Sequence, residues 1–342
     1  MAGSTITATA AAAAAAAAAS IPRLVYGTAW KRDRTADLVY QALAAGFRGL
    51  DTAAQPRHYR EDLVAAGVRR ALAAGIIARR ADLYIQTKFS APGAQDWDSQ
   101  PRPPYDRAAP LAEQVQASVE VSLRNFTVEK DTTPYLDCLV LHAPLPTRAD
   151  TQTVLAVLRP YMPQRIRTLG ISNATLAEVE DMVEVARSLA GDDDTDNTDH
   201  NPLVPVVVQN RFHRGSGGGG DPYDVALRRY CGRQHIVYQA FWTLTANPDL
   251  LRRTACVQAV VAGAGVAAEA ALYSLVVLGL GTSDDDNTRC PVVVLDGTTS
   301  PEHMAADLAG LVRVAAWRAN EDEARAAWKA AVAAFRARIG DV

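Results

Sequence analysis

Four residues that can hold or move protons lie in or just after apolar segments in the first half of the chain. Asp51 ends GFRGLD, Lys88 lies in YIQTKF and His142 lies in LVLHAP. Tyr59 comes eight residues after Asp51, in DTAAQPRHY. A phenol, an ammonium, an imidazole and a carboxylate in one pocket can deliver a proton to an oxygen atom. The first hypothesis is therefore a reductase.

The four side chains could act together in one proton-transfer reaction. A phenol with a pKa of about 10 holds its proton too tightly to be a good donor at neutral pH. We expect the Lys88 ammonium to lower the pKa of Tyr59, and the Asp51 carboxylate to hold that ammonium in place. His142 would orient a carbonyl group or relay the proton, while a nicotinamide supplies the hydride.

Each of these residues also has a purely structural alternative. Asp51 could cap a helix, Lys88 could lie along the surface, and His142 could be a hydrogen-bonded core residue. Taken singly, these alternatives are at least as good as the functional ones. Three such residues at the ends of successive strands are harder to explain by structure alone.

The strands that would position these residues alternate with helical stretches along the chain. Helical spacing is seen at 33–46, 61–75, 111–125, 150–160, 175–190 and from 301 onward. Eight β-then-α units predict a (β/α)8 TIM barrel, in which the strand ends face the active-site mouth. An open doubly wound sheet is disfavoured because the first strand is followed by GTAW and not by GxGxxG. The predicted strand segments are 24–30, 48–51, 82–89, 135–143, 166–172, 204–210, 236–241 and 291–297.

Composition narrows the class of partner. The 342 residues are 49% hydrophobic and 21% charged, with a net charge of −3, as in a globular protein with a large core. A net charge of this sign and size does not favour binding to nucleic acid or to an anionic membrane surface, so a small molecule is the expected partner. We expect no membrane span, and a monomer or weak oligomer. The four cysteines form no disulfide or zinc pattern, which favours a reducing, cytoplasmic location.

Residues 1–20 are predicted to be a low-complexity, alanine-rich tail, and 21–342 a single barrel domain with a C-terminal helix. In that helix, at 321–340, Trp328 and Phe335 fall on one face and are expected to pack on the barrel. The acidic and glycine-rich segments 191–201, 214–222 and 281–289 are read as surface loops, and no metal site is expected.

The ordered motifs resemble those of the aldo-keto reductase superfamily over most of residues 23–313. GFRGLDTA resembles the second-strand motif of that family, YIQTKF its lysine strand, LVLHAP its histidine strand and GISN its GxSN. VVQN and IVYQAF are similar to its sixth and seventh strands. DGTTSPEHM falls where the family binds the adenosine phosphate.

The resemblance implies a role for each matching residue. The residues that correspond to the catalytic tetrad are Asp51, Tyr59, Lys88 and His142. Asp51 is also assigned to the cofactor-binding site. By the same resemblance, Phe241 would stack on the nicotinamide, where the family usually has tyrosine. The remaining cofactor-binding residues implied are Thr28, Trp30, Ser172, Asn173, Gln209, Gly297, Thr298, Thr299 and His303.

Two departures from the family pattern affect these assignments. The family usually places its tyrosine five residues after the aspartate, where this chain has Pro56; Tyr59 follows an apparent three-residue lengthening. The phosphate segment of the family commonly reads KSxxxxR, but here Gly297 replaces the lysine and His303 the arginine. Preference for NADP over NAD should weaken as a result. NADP(H) remains favoured from the resemblance, with NAD(H) as the alternative.

The leading hypothesis is an NAD(P)H-dependent reductase that converts an aldehyde or ketone to an alcohol, with Tyr59 as proton donor. A second hypothesis keeps the barrel and cofactor site but assigns a regulatory or interaction subunit with little or no turnover. Reductase activity without a partner would separate the two. A TIM-barrel enzyme of unrelated chemistry would require the GISN, QN and GTTS matches to be chance.

Overall fold

The structure is a computed structural model that describes residues 20–130, 132–189, 201–215, 221–281 and 290–341. The predicted tail, apart from Ser20, lies outside these residues. So does most of each of the three predicted surface loops.

Eight parallel strands close into a barrel in chain order, with β8 paired to β1. This architecture confirms the predicted (β/α)8 fold. The strands are β1 Leu24–Gly27, β2 Gly49–Asp51, β3 Tyr84–Phe89, β4 Leu136–Leu141, β5 Ile166–Ser172, β6 Pro205–Arg211, β7 Val237–Phe241 and β8 Val292–Asp296.

Helices surround the barrel, and those between β6 and β8 were not predicted from the sequence. The last of these continues from Ser274 as a fully buried π-helical stretch, Leu275–Leu280. The helices are α1 Thr35–Ala45, α2 Glu61–Ala73, α3 Leu111–Asn125, α4 Arg148–Leu158, α5 Leu176–Leu189, α6 Val225–Arg233, α7 Pro248–Arg253, α8 Ala255–Ala264, α9 Ala268–Ser274, α10 Pro301–Ala319 and α11 Asp322–Ile339.

Strand periodicity decides which side chains enter the barrel. All six residues of β3 are buried, but alternate residues point to opposite faces. Tyr84, Gln86 and Lys88 share the inner face, in order from the floor towards the mouth. Thr87 points outward and its hydroxyl donates to the Glu61 carboxylate at the start of α2. The same alternation places polar side chains above an apolar floor.

The hydrophobic core has two parts. The larger cluster lies between the barrel wall and the surrounding helices. The smaller cluster fills the floor inside the barrel and consists of Ile21, Val25, Tyr84, Cys138, Val140, Val207, Val237 and Val293. Cys138 is a free, buried residue of this floor.

Gly170 allows β5 and β6 to approach closely. It is the register partner of Val207, next to an irregularity in the pairing of the two strands. A Cβ atom at this position would lie 2.9 Å from the Val207 carbonyl oxygen and 3.0 Å from its Cβ atom. The glycine of the GISN segment is therefore required by packing.

The C-terminal helix α11 packs on the outer helical layer. Trp328 and Phe335 are buried, as expected from their spacing. The helix lies against α8 and the Leu275–Leu280 stretch, so it covers helices between β7 and β8 and not the strands themselves.

No single helix of the described chain has the length and apolar character needed to cross a membrane. One bent pair, Ala255–Ala264 with Ala268–Leu280, meets the criteria of length and composition together, at a bend of 106°. Within the same residues, no cluster of three or more histidine, cysteine or acidic side chains could hold a metal ion.

Candidate active site

Asp51 and Lys88 form a buried ion pair at the mouth end of the barrel. The Lys88 Nζ atom lies 2.7 and 2.8 Å from the two carboxylate oxygens of Asp51, and also donates to the Thr52 carbonyl at 2.9 Å. The two side chains are only 1% and 2% exposed. Burial works against the ammonium, but the charge of the Asp51 carboxylate and its hydrogen bonds raise the pKa of Lys88 above its usual value. Lys88 therefore stays positively charged.

The lengthened loop after β2 returns Tyr59 to this pair. The backbone N–H groups of His58 and Tyr59 both donate to the Gln55 carbonyl at 3.0 Å, which closes a tight turn. The Lys88 Nζ atom lies 4.8 Å from the centroid of the Tyr59 ring. The three extra residues are thus absorbed by the turn, and the tyrosine lies beside the ion pair despite the altered spacing.

The pKa of Tyr59 does not follow the sequence-based expectation. Burial raises it above its usual value, and the neighbouring Lys88 ammonium offsets only part of that rise. The ammonium acts in the predicted direction, but burial of the phenol has the larger effect. Tyr59 is consequently a phenol, with its proton in place, throughout the neutral pH range.

His142 completes the group from the end of β4. Its ring centroid lies 5.8 Å from that of Tyr59, with the rings nearly perpendicular. Its Nδ1 atom lies 2.6 Å from the Ser90 hydroxyl, which leaves Nε2 for other partners. Burial, followed by the charge of Lys88, lowers the pKa of His142 to about 3. The imidazole is neutral at physiological pH.

A layer of buried amides, here called the glutamine belt (Gln86, Gln209 and Gln239), lies directly below the ion pair. The Nε2 atoms of Gln86 and Gln209 donate to Asp51 Oδ1 at 2.6 and 2.9 Å. Both also donate to the Gln239 Oε1 atom, at 2.8 and 3.0 Å. Gln239 in turn donates to Gln86 at 2.8 Å. The belt therefore fixes one oxygen of the Asp51 carboxylate.

The belt bears on the predicted role of Gln209. This residue was expected to bind the cofactor, but its Nε2 atom is engaged with Asp51 and Gln239 and its side chain is buried. A cofactor contact would have to use its Oε1 atom or displace one of these bonds. The predicted contact stays a prediction.

The other predicted cofactor residues lie around the mouth. The buried Ser172 hydroxyl donates to the Gln209 carbonyl at 2.7 Å. Asn173 is exposed, and its amide nitrogen donates to the His142 carbonyl at 2.9 Å. Thr28 is buried, with its hydroxyl on the Asp51 carbonyl at 2.8 Å. Phe241 is half-buried at the end of β7.

Three residues at the mouth have left-handed backbone conformations. They are Trp30, Asn173 and Trp242, with φ of 62°, 55° and 59°. Asparagine adopts this region readily, whereas for a bulky residue such as tryptophan it is strained. Trp30 and Trp242 are nevertheless 60% and 52% exposed. Trp30 stacks on His58 with ring centroids 4.0 Å apart. Two aromatic side chains are thus presented to solvent at the mouth, from the loops after β1 and β7, whose strands flank β8.

The segment after β8 carries the predicted phosphate-binding residues. Gly297, Thr299 and His303 are exposed, and Thr298 is half-buried with its N–H donating to Asp296 at 2.9 Å. Lys31 reaches this segment from the loop after β1. Its buried ammonium donates to the Gly297 carbonyl, with the Thr298 carbonyl at 3.5 Å. A lysine from the loop after β1 thus lies beside this segment, although the segment itself has glycine where the family has lysine.

Comparison with known proteins decides the family. The model of the aldo/keto reductase family matches residues 23–214, more than half of the chain. The chain belongs to the aldo/keto reductase family. No curated protein sequence matches it.

Solved structures of aldo-keto reductases share the fold of this family member. An enzyme from a Medee basin deep-sea metagenome library is 15% identical, with a TM-score of 0.62 and 91% of each chain covered. The aldose reductase of Schistosoma japonicum is 16% identical, with a TM-score of 0.60 over 91% of this chain and 89% of that one. An aldo-keto reductase of the silkworm Bombyx mori is 17% identical, with a TM-score of 0.60 over 91% and 84%.

Family and fold together support an oxidoreductase that acts on carbonyl compounds, in a family that generally uses NAD(P)H. Sequence reasoning about this aldo/keto reductase missed Lys31, Ser90, Gln86 and Gln239. Lys31 and Ser90 each adjoin a residue or motif that was singled out, so inspection of the neighbours could have found them. The two glutamines lie inside YIQTKF and IVYQAF, where their signal was a polar residue within an apolar strand.

Proposed function

We propose that this aldo/keto reductase is an NAD(P)H-dependent carbonyl reductase that converts an aldehyde or ketone to an alcohol. NADP(H) is favoured over NAD(H). The observation that carries the proposal is the convergence of Tyr59, Lys88, Asp51 and His142 at one end of the barrel. A phenol that retains its proton, a fixed cation and a neutral imidazole suit the protonation of a carbonyl oxygen.

In the proposed reaction, Tyr59 donates its hydroxyl proton to the substrate oxygen. The Lys88 ammonium stabilises the phenolate that remains, and Asp51 keeps the ammonium beside the ring. In this reaction the Ser90 hydroxyl would donate to Nδ1 of His142, which would leave the ring proton on Nε2 to hydrogen-bond the carbonyl oxygen. In the reverse direction, Tyr59 would take the alcohol proton back.

Residues around the mouth fit a nicotinamide dinucleotide. A bound nicotinamide would supply the hydride. The half-buried Phe241 ring offers a stacking surface, and the exposed Asn173 amide offers a hydrogen-bonding edge. Gly297 leaves the loop after β8 open, because a Cβ atom there would meet no other atom within 4 Å. Phosphate groups could therefore approach the backbone closely at this loop.

The test is NAD(P)H oxidation with a panel of aldehydes and ketones, on the wild type, Tyr59→Phe and Tyr40→Phe. We expect turnover by the wild type and a loss of about a hundredfold or more in kcat for Tyr59→Phe. Cofactor binding, measured by quenching of tryptophan fluorescence, should be unchanged. Tyr40, on α1 and away from the mouth, is the matched control, and Tyr40→Phe should retain full activity.

Two results would contradict the proposal in different ways. Unchanged activity of Tyr59→Phe would mean that another group is the proton donor. Tight cofactor binding with no turnover on the whole panel would favour the regulatory or interaction subunit. A cytoplasmic location and a monomeric or weakly oligomeric state are further proposals. The four free, buried cysteines are consistent with a reducing compartment.

A further inference from the structure

A groove runs from the mouth of the barrel towards the N-terminal end of α10. It encloses about 460 Å³ and lies between the loop after β1 and the loop after β8. Trp30 belongs both to this groove and to the wall of the mouth, where it stacks on His58. Trp30 therefore connects the groove to the loop that carries Tyr59. The lining residues of the groove are Trp30, Lys31, Arg32, Asp33, Arg34, Leu38 and Thr299.

Lys31 is the buried cation of the groove. It is only 8% exposed, and no carboxylate forms an ion pair with it in the described chain. Its ammonium contacts two backbone carbonyls and lies 5.6 Å from the centroid of the Tyr26 ring. Burial lowers the pKa of Lys31, while the more distant Asp296 acts in the opposite direction. Burying an ammonium that has no carboxylate in direct contact is costly, and an anion in the groove would offset part of that cost.

Two further cations lie on the same wall. Arg32 and Arg34 are exposed, and neither guanidinium forms a hydrogen bond or ion pair with the parts of the chain that the structure describes. Arg32 is held in a left-handed conformation, with φ of 51°. Asp33, between them, is paired with Arg60 at 3.2 Å. The groove therefore carries a positive charge that no carboxylate in its lining neutralises.

The opposite wall supplies no lysine or arginine. Thr299 lines the groove there with a hydroxyl group, Gly297 has no side chain, and His303 is exposed at the start of α10. The lysine and arginine charges available to a phosphate in the groove therefore come from the loop after β1. Two exposed guanidinium groups and one buried ammonium suit a dianionic phosphomonoester, because arginine forms paired hydrogen bonds to phosphate oxygens.

We propose that this groove binds the ribose 2′-phosphate of NADP(H), with Lys31, Arg32 and Arg34 supplying the positive charge. The inference rests on the proposed function, since it names how the same site would recognise its cofactor. It also explains how NADP(H) could be preferred although the segment after β8 has lost both of the expected cations.

The test is calorimetric binding of two nucleotide fragments to the full chain. Adenosine 2′,5′-bisphosphate carries the 2′-phosphate, and adenosine 5′-monophosphate does not. The variants are Arg32→Ala, Arg34→Ala and the double variant. Arg252→Ala is the matched control, because it removes the same charge from an exposed position on α7, outside the groove. Thermal unfolding of each variant checks that the fold is retained.

We expect the wild type to bind the bisphosphate more tightly than the monophosphate. The double variant should bind the bisphosphate about tenfold or more weakly, which corresponds to about 1.4 kcal/mol. Its affinity for the monophosphate should stay within about twofold, and Arg252→Ala should change neither affinity.

Three results would overturn the inference: no preference for the bisphosphate in the wild type, equal losses for both fragments, or no loss in the double variant. None of these depends on turnover. If Tyr59-dependent reductase activity is found but the double variant binds the bisphosphate normally, the proposed function stands and this inference fails. If the bisphosphate is bound as proposed but nothing is reduced, the reductase proposal fails alone.

Discussion

The Lys88 ammonium bridges both carboxylate oxygens of Asp51, at 2.7 and 2.8 Å, with both groups almost completely buried. Asp51 Oδ1 accepts from Gln86 and Gln209 as well. A buried ion pair gains from its mutual attraction only if its remaining hydrogen-bonding positions are filled. The glutamine belt fills those of Oδ1, and the Thr52 carbonyl accepts a further hydrogen bond from the ammonium. These bonds allow a charged pair to persist inside the barrel.

Removing the cation of this pair should damage both stability and activity. Lys88→Met leaves the Asp51 charge buried without its counter-ion, so we expect a loss of about 3–5 kcal/mol in the free energy of unfolding. Under the proposed mechanism, kcat should also fall by about a hundredfold or more, because the Tyr59 phenolate loses its stabilising charge. Urea denaturation and NAD(P)H oxidation measure the two effects.

Arg148→Met is the control for that substitution. Arg148 pairs with Asp181 and Glu184 on the exposed faces of α4 and α5. Exposed pairs contribute little, so this variant should keep wild-type stability and activity. Equal destabilisation by the two substitutions would contradict the expectation that the buried pair contributes more to stability than the exposed one.

His142 should make the protein more sensitive to acid. Its pKa is lowered to about 3 in the folded state, from 6.5 in an unfolded chain. Between these values the unfolded chain binds a proton that the folded protein does not, so stability is lost as pH falls from 6.5 towards 3. At pH 4.5 the wild type should have lost about 2 kcal/mol relative to pH 7.5 through this residue alone.

The measurement compares urea unfolding of the wild type and His142→Gln at the two pH values. The variant should lose less stability on acidification, by about 2 kcal/mol. Other groups titrate in both proteins and cancel in the difference. An identical loss in the two proteins would show that the imidazole is not kept neutral by the fold.

The glutamine belt should behave as a coupled unit. Gln86→Leu leaves the buried Gln239 Nε2 atom without its acceptor, and Gln239→Leu removes one of the two partners of each amide atom of Gln86. Each substitution should cost about 1–3 kcal/mol. The double variant should be less destabilised than the sum of the single variants, because both partners are then apolar. Urea denaturation of all four proteins completes the cycle, and strict additivity would refute the coupling.

Gly170 should not tolerate a methyl group. Gly170→Ala brings a Cβ atom within 3.0 Å of Val207, so the two strands must separate, and we expect a loss of about 1–3 kcal/mol. Gly93→Ala is the control, since a Cβ atom there meets nothing within 4 Å and the backbone is not left-handed. Thermal unfolding compares them. Gly170→Ala as stable as Gly93→Ala would mean that the strands adjust freely.

The sequence predicts the strands well because their patterns are local. Asp51, Lys88 and His142 stand at the mouth end of short apolar runs, and the fold brings them together as expected. The helices between residues 225 and 281 were missed. Several of them are apolar on nearly all sides, with α9 and the stretch after it almost entirely buried, so they lack a polar face to mark a helical period.

The features of the site that escaped prediction depend on distant contacts. Gln86 and Gln239 are 153 residues apart in the chain, and each alone reads as a polar residue interrupting a strand. Lys31 meets Gly297 across 266 residues. The net pKa of Tyr59 was misjudged for a related reason, since the extent of its burial is a property of the folded loop and not of its sequence neighbours.

The Asp51 carboxylate also has a mechanical consequence for the barrel. Through Lys88, Gln209 and Gln239, a carboxylate at the end of β2 is connected to strands on the far side of the wall. Any separation of these strands would break the hydrogen bonds that the carboxylate accepts and its ion pair with the ammonium. Ring closure and assembly of the proton-donating group are thereby one cooperative event, so a partly opened barrel would be an inactive one.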